Sequence, residues 1–286
     1  MKLVDTHAHL DFVPKDTSVE NWLGGAKENG IFKIISVGTS IDTTKKAIKI
    51  AEKFSDDDLQ IFASAGIHAE DGMGDVKKYG ENYIDELKKV VQSSGKIVAI
   101  GECGFDIRFD DGKQTTTDEE IKFQKELFEA QIKLAMELDL PLVVHCRNAW
   151  AETFNLIEQF RGTSSPMPTR GRTSKLSGVF HSWTGDWEAA EKALDLGFYI
   201  SFSGIVTFKN APNVADVAKR APIERIVVET DSPYLTPEPF RGFLNEPKNV
   251  RITAEFVAKL KNIPFDEFCE ITSENAERLF NFTKYE

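Results

Sequence analysis

The chain has 286 residues, of which 41% are hydrophobic and 28% charged, so it carries ample apolar material for a folded core. Its 35 basic and 46 acidic residues give a formal net charge of −11, which argues against broad binding to nucleic-acid backbones through a basic surface. Three widely spaced cysteines without a CxxC motif argue against a disulfide framework and against a cysteine zinc site. A polyanionic substrate would therefore have to be bound by a local group of residues and not by a broad basic surface.

The beginning of the chain carries no apolar segment of the kind found in signal peptides. After Lys2, only Leu3 and Val4 precede Asp5, and no apolar run elsewhere approaches the length needed to cross a bilayer. We therefore expect a cytoplasmic protein with no membrane partner. No motif implies a protein partner.

Eight short runs rich in β-branched residues alternate with helical stretches, and they read, in chain order, KLVDTH, FKIISVG, QIFASAGIH, KIVAIGE, PLVVHC, GVFHS, FYISFSG and RIVVETD. The helical stretch at 118–139 repeats apolar residues at a spacing of seven (Ile121, Phe128, Ala135), and Asp118 is expected to cap it. Eight strand–helix units of this length predict a parallel, closed (β/α)8 TIM barrel of the α/β class, rather than an open doubly wound sheet. No linker divides it, so one domain is expected over residues 1–286.

One stretch is strongly biased in composition. It reads RGTSSPMPTRGRTSK at 161–175 and combines Ser, Thr, Pro and Gly with four basic residues, which is typical of an exposed loop. The loop joins a helix to the following strand, and such connections lie on the face of a barrel opposite the active site. We therefore expect it to be dispensable for chemistry.

The first strand ends in Asp-Thr-His-Ala-His. Side chains alternate along a strand, so His7 and His9 share one face and can converge on one ion, although this spacing alone is a weak signal. Unusual polar residues also stand at the C-terminal ends of later strand candidates, namely His68, Glu102, His145, His181 and Asp231. These ends meet at the mouth of a barrel, so the set, which contains every histidine of the chain, predicts a functional site there.

The residue types at this mouth predict metal-assisted hydrolysis. Four imidazoles and two carboxylates exceed the needs of one tetrahedral zinc ion and match a mixed nitrogen and oxygen site for two divalent ions, which Glu102 could bridge. Two such ions can activate water and clamp the oxygens of an in-line displacement. No GxSxG elbow and no GxxxxGK[ST] loop offers a competing mechanism.

The order of the motifs resembles the TatD family of metal-dependent deoxyribonucleases. The matching segments are DTHAHLDF, AGIHAE, IGECGFD, VHCRNA, FHSWTG, ETDSPYLTP and RGFLNEP. The resemblance implies a TIM-barrel hydrolase that cleaves DNA phosphodiesters, as a 3′ to 5′ exonuclease, with two divalent ions. Mg²⁺ is the expected metal, and Mn²⁺ and Zn²⁺ are the alternatives. DNA would bind locally at the barrel mouth.

The resemblance also implies roles for single residues. One ion would be held by His7, His9 and Asp231, a second by His145 and His181, with Glu102 between them; His68 would contact the scissile phosphate. Glu102, Asp231 and His68 are thus the expected catalytic residues, and the expected substrate contacts are His68, Arg147, Trp183 and Arg241. Two motifs depart from the family pattern, because Ala69 stands where a proline is usual and HSWTG replaces HCFSG.

Three alternatives stay open. A small-molecule amidohydrolase would share the histidines, but many of these enzymes bridge their metals with a carbamylated lysine at the end of the fourth strand, where this chain has Glu102; Lys96 lies at the other end. An ester deacylase acting on aminoacyl-tRNA is equally compatible with two metals. A metal-binding or nucleic-acid-binding module without catalysis is disfavoured by the complete ligand set and the acidic charge.

Overall fold

The computed structural model describes residues 2–161 and 176–284. The loop predicted at 161–175 lies outside the described residues except for Arg161. In the described ranges, no helix combines the length and the apolar character that a bilayer span requires.

Ten strands are found in the described ranges: β1 (Leu3–Ala8), β2 (Ile31–Ser36), β3 (Gln60–Ala65), β4 (Ile97–Asp106), β5 (Phe109–Asp110), β6 (Lys113–Gln114), β7 (Leu142–Arg147), β8 (Gly178–Phe180), β9 (Tyr199–Phe202) and β10 (Ile226–Val228). Eight of them form one parallel sheet in the order β1-β2-β3-β4-β7-β8-β9-β10, and β5 and β6 form a separate antiparallel hairpin. Neighbouring strands pair in sequence order; for example, Phe180 lies opposite both Val144 and Ile200. All eight predicted strands are therefore confirmed.

The first and last strands of the sheet meet at the mouth. A parallel bridge joins Ala8 to Ser232, just beyond β10. The His9 amide donates to the Ser232 carbonyl at 2.8 Å, and the Asp231 amide donates to the His7 carbonyl at 2.8 Å. The sheet is thus a nearly closed barrel, and the predicted TIM-barrel fold is confirmed.

Helices connect the strands on the outside of the barrel. In the described ranges these are α1 (Val19–Glu28), α2 (Ile41–Phe54), α3 (Gly72–Tyr79), α4 (Tyr83–Gln92), α5 (Asp118–Leu138), α6 (Trp150–Gln159), α7 (Trp187–Asp195), α8 (Pro212–Arg220), α9 (Val250–Lys261) and α10 (Phe265–Phe280). The N-cap of α5 is Thr117, whose hydroxyl accepts from the Glu120 amide at 3.2 Å while the Glu120 carboxylate accepts from the Thr117 amide at 2.7 Å. The prediction that Asp118 caps this helix was wrong by one residue, because this reciprocal capping box satisfies two free amides at once.

The barrel interior has its own apolar cluster, distinct from the larger core between strands and helices. It includes Val4, Ile35, Phe62, Val143, Val179 and Val227. Phe280 and Phe282, from the C-terminal segment, join this cluster, and the Phe62 and Phe282 ring centroids lie 4.6 Å apart. Burying each such side chain contributes about 1.5–3 kcal/mol. The interior is therefore packed, which leaves the strand C-termini as the polar end of the barrel.

Candidate metal centre

The structure brings all seven predicted polar residues of the strand ends together at the mouth. On one side, the Nε2 atoms of His7 and His9, which are two residues apart in the sequence, lie 3.4 Å from each other. The Asp231 Oδ1 atom lies 3.5 Å from the first of these nitrogens and 3.3 Å from the second. The end of β1, the residue that follows it (His9) and the segment after β10 thus supply one group of three convergent donor atoms.

Glu102 lies at the centre of the cluster, on β4. Its Oε1 atom is 2.9 Å from His145 Nδ1 and 2.9 Å from His181 Nε2, and its Oε2 atom is 3.4 Å from His7 Nε2. The two oxygens of one carboxylate therefore face different histidines. This is the arrangement that a carboxylate needs in order to bridge two ions.

His68 also faces Glu102, with its Nε2 atom 3.6 Å from Oε1. The Glu70 amide donates to His68 Nδ1 at 3.3 Å, which assigns the ring proton to Nε2. Burial, followed by the nearby His145, lowers the pKa of His68 to about 4, so the ring is neutral near pH 7. A neutral ring with its proton directed at the cluster is suited to donating a hydrogen bond to a bound anion.

Two carboxylates outside the predicted set lie near the ring nitrogens of His145 and His181 that face away from Glu102. Asp106 Oδ2 lies 3.1 Å from His145 Nε2, the nitrogen that faces away from Glu102. Glu229 Oε1 lies 3.4 Å from His181 Nδ1. Metal-binding histidines usually contact a carboxylate or carbonyl through the second nitrogen, which fixes the ring. Sequence reasoning missed both residues, although Asp106 lies in the quoted motif IGECGFD and Glu229 in ETDSPYLTP.

Glu229 is itself fixed by a buried network. Its Oε1 atom accepts from the Ser182 amide at 2.7 Å, and its Oε2 atom accepts from the Ser201 hydroxyl at 2.5 Å. The Thr6 hydroxyl lies 3.4 Å from the Ser201 hydroxyl and donates to the Val228 carbonyl at 3.1 Å. The His181 ring is therefore positioned by groups from β1, β9 and β10.

The electrostatics of the cluster favour ionised carboxylates. Burial raises the pKa of Glu102, but the facing imidazoles of His181, His68 and His145 outweigh burial and hold this pKa well below its usual range. Burial lowers the pKa of His181, but the Glu102 and Glu229 carboxylates outweigh burial and raise this pKa well above the ordinary value. The cluster thus holds anionic oxygens, and the His181 ring would have to release its proton when a metal ion binds there.

These donors fit divalent metal ions. Three groups each have ligand atoms within 4.8 Å of one another, and they are His7–Glu102–His181, His7–His9–Asp231 and His68–Glu102–His145. Imidazole nitrogens and carboxylate oxygens are donors for ions such as Zn²⁺ and Mn²⁺. The groups overlap at His7 and Glu102, so the residues that are present could hold more than one ion.

Of the two arginines predicted to contact the substrate, Arg147 lies at the edge of the cluster and Arg241 lies away from it. Arg147 has a side chain that is 57% exposed, and its Nη1 atom lies 3.8 Å from Asp106 Oδ2, at the edge of the cluster. Arg241 follows β10; its guanidinium lies 4.2 Å from the centroid of the Phe208 ring and donates to the Asn210 side chain at 3.2 Å. Among the described residues, Arg241 makes no recorded contact with a residue of the cluster.

Trp183 is a core residue. It is 1% exposed, its ring centroid lies 4.4 Å from that of Trp150, and its Nε1 atom donates to the Gly185 carbonyl at 3.0 Å. The structure therefore does not support the predicted substrate contact, because the ring has no free face and its donor is already used.

Neither cysteine next to the cluster is suited to act as a nucleophile. Cys103 is fully buried, and burial raises the pKa of its thiol. Burial likewise raises the pKa of Cys146 to about 12. Because the thiolate is the reactive form, neither thiol is activated near neutral pH.

Comparison with known proteins agrees with this geometry. The family model described as TatD related DNase matches residues 4–281. The uncharacterized metal-dependent hydrolase YabD of Bacillus subtilis is 37% identical over 278 residues, covering 97% of this chain and 98% of that protein. YcfH of Escherichia coli K12, also named an uncharacterized metal-dependent hydrolase, is 34% identical over 284 residues, covering 98% of this chain and 96% of that protein.

A solved structure shows the same fold over the same length. The crystal structure of YjjV, a TatD homologue from Escherichia coli K12, superposes with a TM-score of 0.82 at 26% identity and covers 98% of both chains. Family model, relatives and solved structure thus all span nearly the whole chain, and the mouth carries a donor set for metal ions. The chain therefore belongs to the TatD family of metal-dependent hydrolases.

Proposed function

We propose that this protein is a deoxyribonuclease that hydrolyses DNA phosphodiester bonds from the 3′ end, with two divalent ions held at the barrel mouth. The position of Glu102 carries the proposal, because its two oxygens face separate histidines and it belongs to two of the three donor groups. A two-ion site of this kind is suited to in-line displacement at phosphorus.

Each residue would have a distinct task. One ion would be held by His7, His9 and Asp231 and the other by His145 and His181, with Glu102 shared. Bound divalent ions would lower the pKa of a coordinated water and offset charge on the phosphate. His68 would donate its Nε2 proton to a phosphate oxygen, which the hydrogen bond from the Glu70 amide to Nδ1 supports. Arg147, exposed beside Asp106, would contact the same phosphate or its neighbour.

The first prediction concerns the metal. Chelation should abolish hydrolysis of end-labelled single-stranded DNA, and addition of a divalent ion should restore it, with products that shorten from the 3′ end. Mg²⁺ is the expected ion, but the imidazole-rich donor set also suits Mn²⁺ and Zn²⁺, so all three should be compared. Full activity in chelator-treated, metal-free protein would refute the proposal. Faster hydrolysis of aminoacyl-tRNA than of DNA would favour the deacylase alternative.

The second prediction concerns Glu102. The Glu102→Gln variant keeps the shape of the side chain but removes the charge between the two groups, so we expect calorimetric metal titration to show one ion in place of two and kcat to fall by about a hundredfold or more. The exposed Glu224, changed to Gln, is the control for loss of a carboxylate elsewhere. Two ions bound by Glu102→Gln with parental affinity would remove Glu102 from the site.

A further inference from the structure

Large apolar side chains are exposed around the mouth of the barrel. In the described part of the chain, the exposed large hydrophobic residues are Phe12, Met73, Phe109, Tyr234, Phe240, Phe243 and Leu244. Each of them follows the C-terminal end of a barrel strand, namely β1, β3, β4 or β10. Exposed apolar groups that collect around one site indicate a ligand with apolar surfaces of its own.

Two of these rings flank a residue of the cluster. Phe12 is 47% exposed, and its ring centroid lies 6.1 Å from that of His9. Tyr234 is 50% exposed, and its ring centroid lies 5.9 Å from that of His9. Both rings stand nearly perpendicular to the imidazole, at 88° and 70°. Each aromatic ring therefore keeps part of its surface open to solvent beside the donor atoms.

The backbone fixes both rings relative to the cluster. The Phe12 amide donates to the His9 carbonyl at 3.1 Å, and the Tyr234 amide donates to the Asp231 carbonyl at 2.8 Å. The side-chain amide of Asn245, a buried residue, donates to the Tyr234 carbonyl at 2.6 Å. The rings are thus held by the same residues that would hold an ion, and little ordering is needed when a ligand stacks on them.

We propose that Phe12 and Tyr234 form a stacking subsite for unpaired nucleobases next to the phosphate that is cleaved. The inference rests on the proposed function. Every nucleobase has a flat face, so stacking on an aromatic ring tolerates any sequence, as a nuclease that removes successive nucleotides requires. The net charge of −11 adds a second reason, because it argues against broad phosphate contacts, so base contacts would supply part of the affinity for DNA.

Substrates without bases test the subsite directly. We would measure kcat/KM for an oligonucleotide with normal bases and for one with abasic tetrahydrofuran residues at its last two positions. Stacking predicts that the parent protein prefers the intact strand by about 5- to 150-fold for each stacked base. Tyr234→Leu and Phe12→Leu should each lower this ratio, because leucine is apolar but lacks an aromatic face. Tyr234→Phe should keep most of it.

Phe243 provides the matched control. It lies in the same segment after β10 and is 75% exposed, but no ring contact joins it to the histidines of the described chain. Phe243→Leu should keep the parental ratio of intact to abasic substrate. A parental ratio in Tyr234→Leu and Phe12→Leu would overturn the inference, as would a parent protein that hydrolyses intact and abasic strands equally well.

A binding measurement separates the subsite from the nuclease. Stacking should quench the fluorescence of 2-aminopurine placed at the 3′ end of an oligonucleotide, and this readout needs no turnover. Quenching by the parent and by Tyr234→Phe, with a several-fold loss in Tyr234→Leu, supports the subsite even if no DNA is cleaved, in which case the proposed function alone fails. Cleavage without quenching leaves the nuclease in place and overturns the subsite.

Discussion

The rings of His145 and His181 face the cluster through different nitrogens, and a carboxylate behind each ring explains the difference. His145 turns Nδ1 to Glu102 because Asp106 contacts Nε2, whereas His181 turns Nε2 to Glu102 with Glu229 near Nδ1. Such partners fix ring orientation and raise the basicity of the ligand atom. Single residues outside the donor groups thus decide which atoms can bind an ion.

The third prediction follows for Glu229→Gln. The glutamine has one acceptor oxygen, so it cannot accept from both Ser182 and Ser201 while also facing His181. We expect metal affinity to fall by about 10- to 100-fold in calorimetric titration, with the metal-free fold retained in circular dichroism. Glu224→Gln serves again as the control. Parental affinity in Glu229→Gln would show that the network does not position the ring.

The sequence was sufficient to predict the seven residues that meet at the mouth, but not the carboxylates that contact their rings. The end of a strand can be recognised from a local pattern, and the barrel then brings those ends together. The contact between Asp106 and His145 depends on the register of two strands, and the burial of Trp183 depends on Trp150 from another element. Neither packing detail is encoded in a local pattern, so the sequence suggests Trp183 as a substrate contact and gives no reason to consider Tyr234, whose ring lies beside His9.

At the scale of elements, helix α5 supports the site through two buried glutamines seven residues apart. Gln124 accepts from the Asp106 amide and donates to the Asp106 carbonyl, both at 3.0 Å. Gln131 accepts from the Ile67 amide at 2.8 Å and donates to the Ile67 carbonyl at 2.9 Å. Each amide side chain pairs with both backbone groups of one residue, either Asp106, which contacts His145, or Ile67, which precedes His68. The spacing of apolar residues predicted this helix but not the role of its polar positions.

The fourth prediction is that Gln131→Met destabilises the protein. Methionine fills a similar volume but leaves the buried Ile67 amide and carbonyl without partners, so we expect the free energy of unfolding to fall by about 2–4 kcal/mol. Urea denaturation would measure this loss. Lys125→Met, at an exposed position of the same helix, controls for the change in residue type. If Gln131→Met and Lys125→Met are equally stable, the hydrogen bonds to Ile67 contribute nothing measurable.

At the scale of the whole molecule, one donor group of the site, His7–His9–Asp231, lies across the seam between the first and last strands. Asp5 on β1 accepts from the Thr230 amide at 2.9 Å and from the Thr230 hydroxyl at 2.6 Å. His7 and His9 stand on one side of this seam and Asp231 on the other. An ion held by these three residues would therefore link segments that are more than two hundred positions apart, so metal binding and barrel closure should be coupled.

The last prediction tests that coupling with Thr230→Val. The substitution keeps the shape of the side chain but removes the hydrogen bond that the Thr230 hydroxyl donates to Asp5. The seam is then looser, so part of the binding energy of the metal must be used to close the seam. We expect the free energy of unfolding to fall by about 1–3 kcal/mol and metal affinity to fall several-fold. At a metal concentration of 100 times Kd, the parent should gain about 2.7 kcal/mol. Thermal unfolding with and without metal would measure both quantities.

The matched control for this prediction is Thr236→Val. The Thr236 hydroxyl donates to the Phe243 carbonyl at 2.5 Å, within the segment after β10 and not across the seam. Its loss should lower stability without changing metal affinity, since no contact between β1 and β10 is removed. If Thr230→Val behaves in the same way, losing stability while binding metal with parental affinity, then this contact across the seam does not contribute to assembly of the cluster, and the hydrogen bond from the Thr230 hydroxyl to Asp5 serves the fold alone.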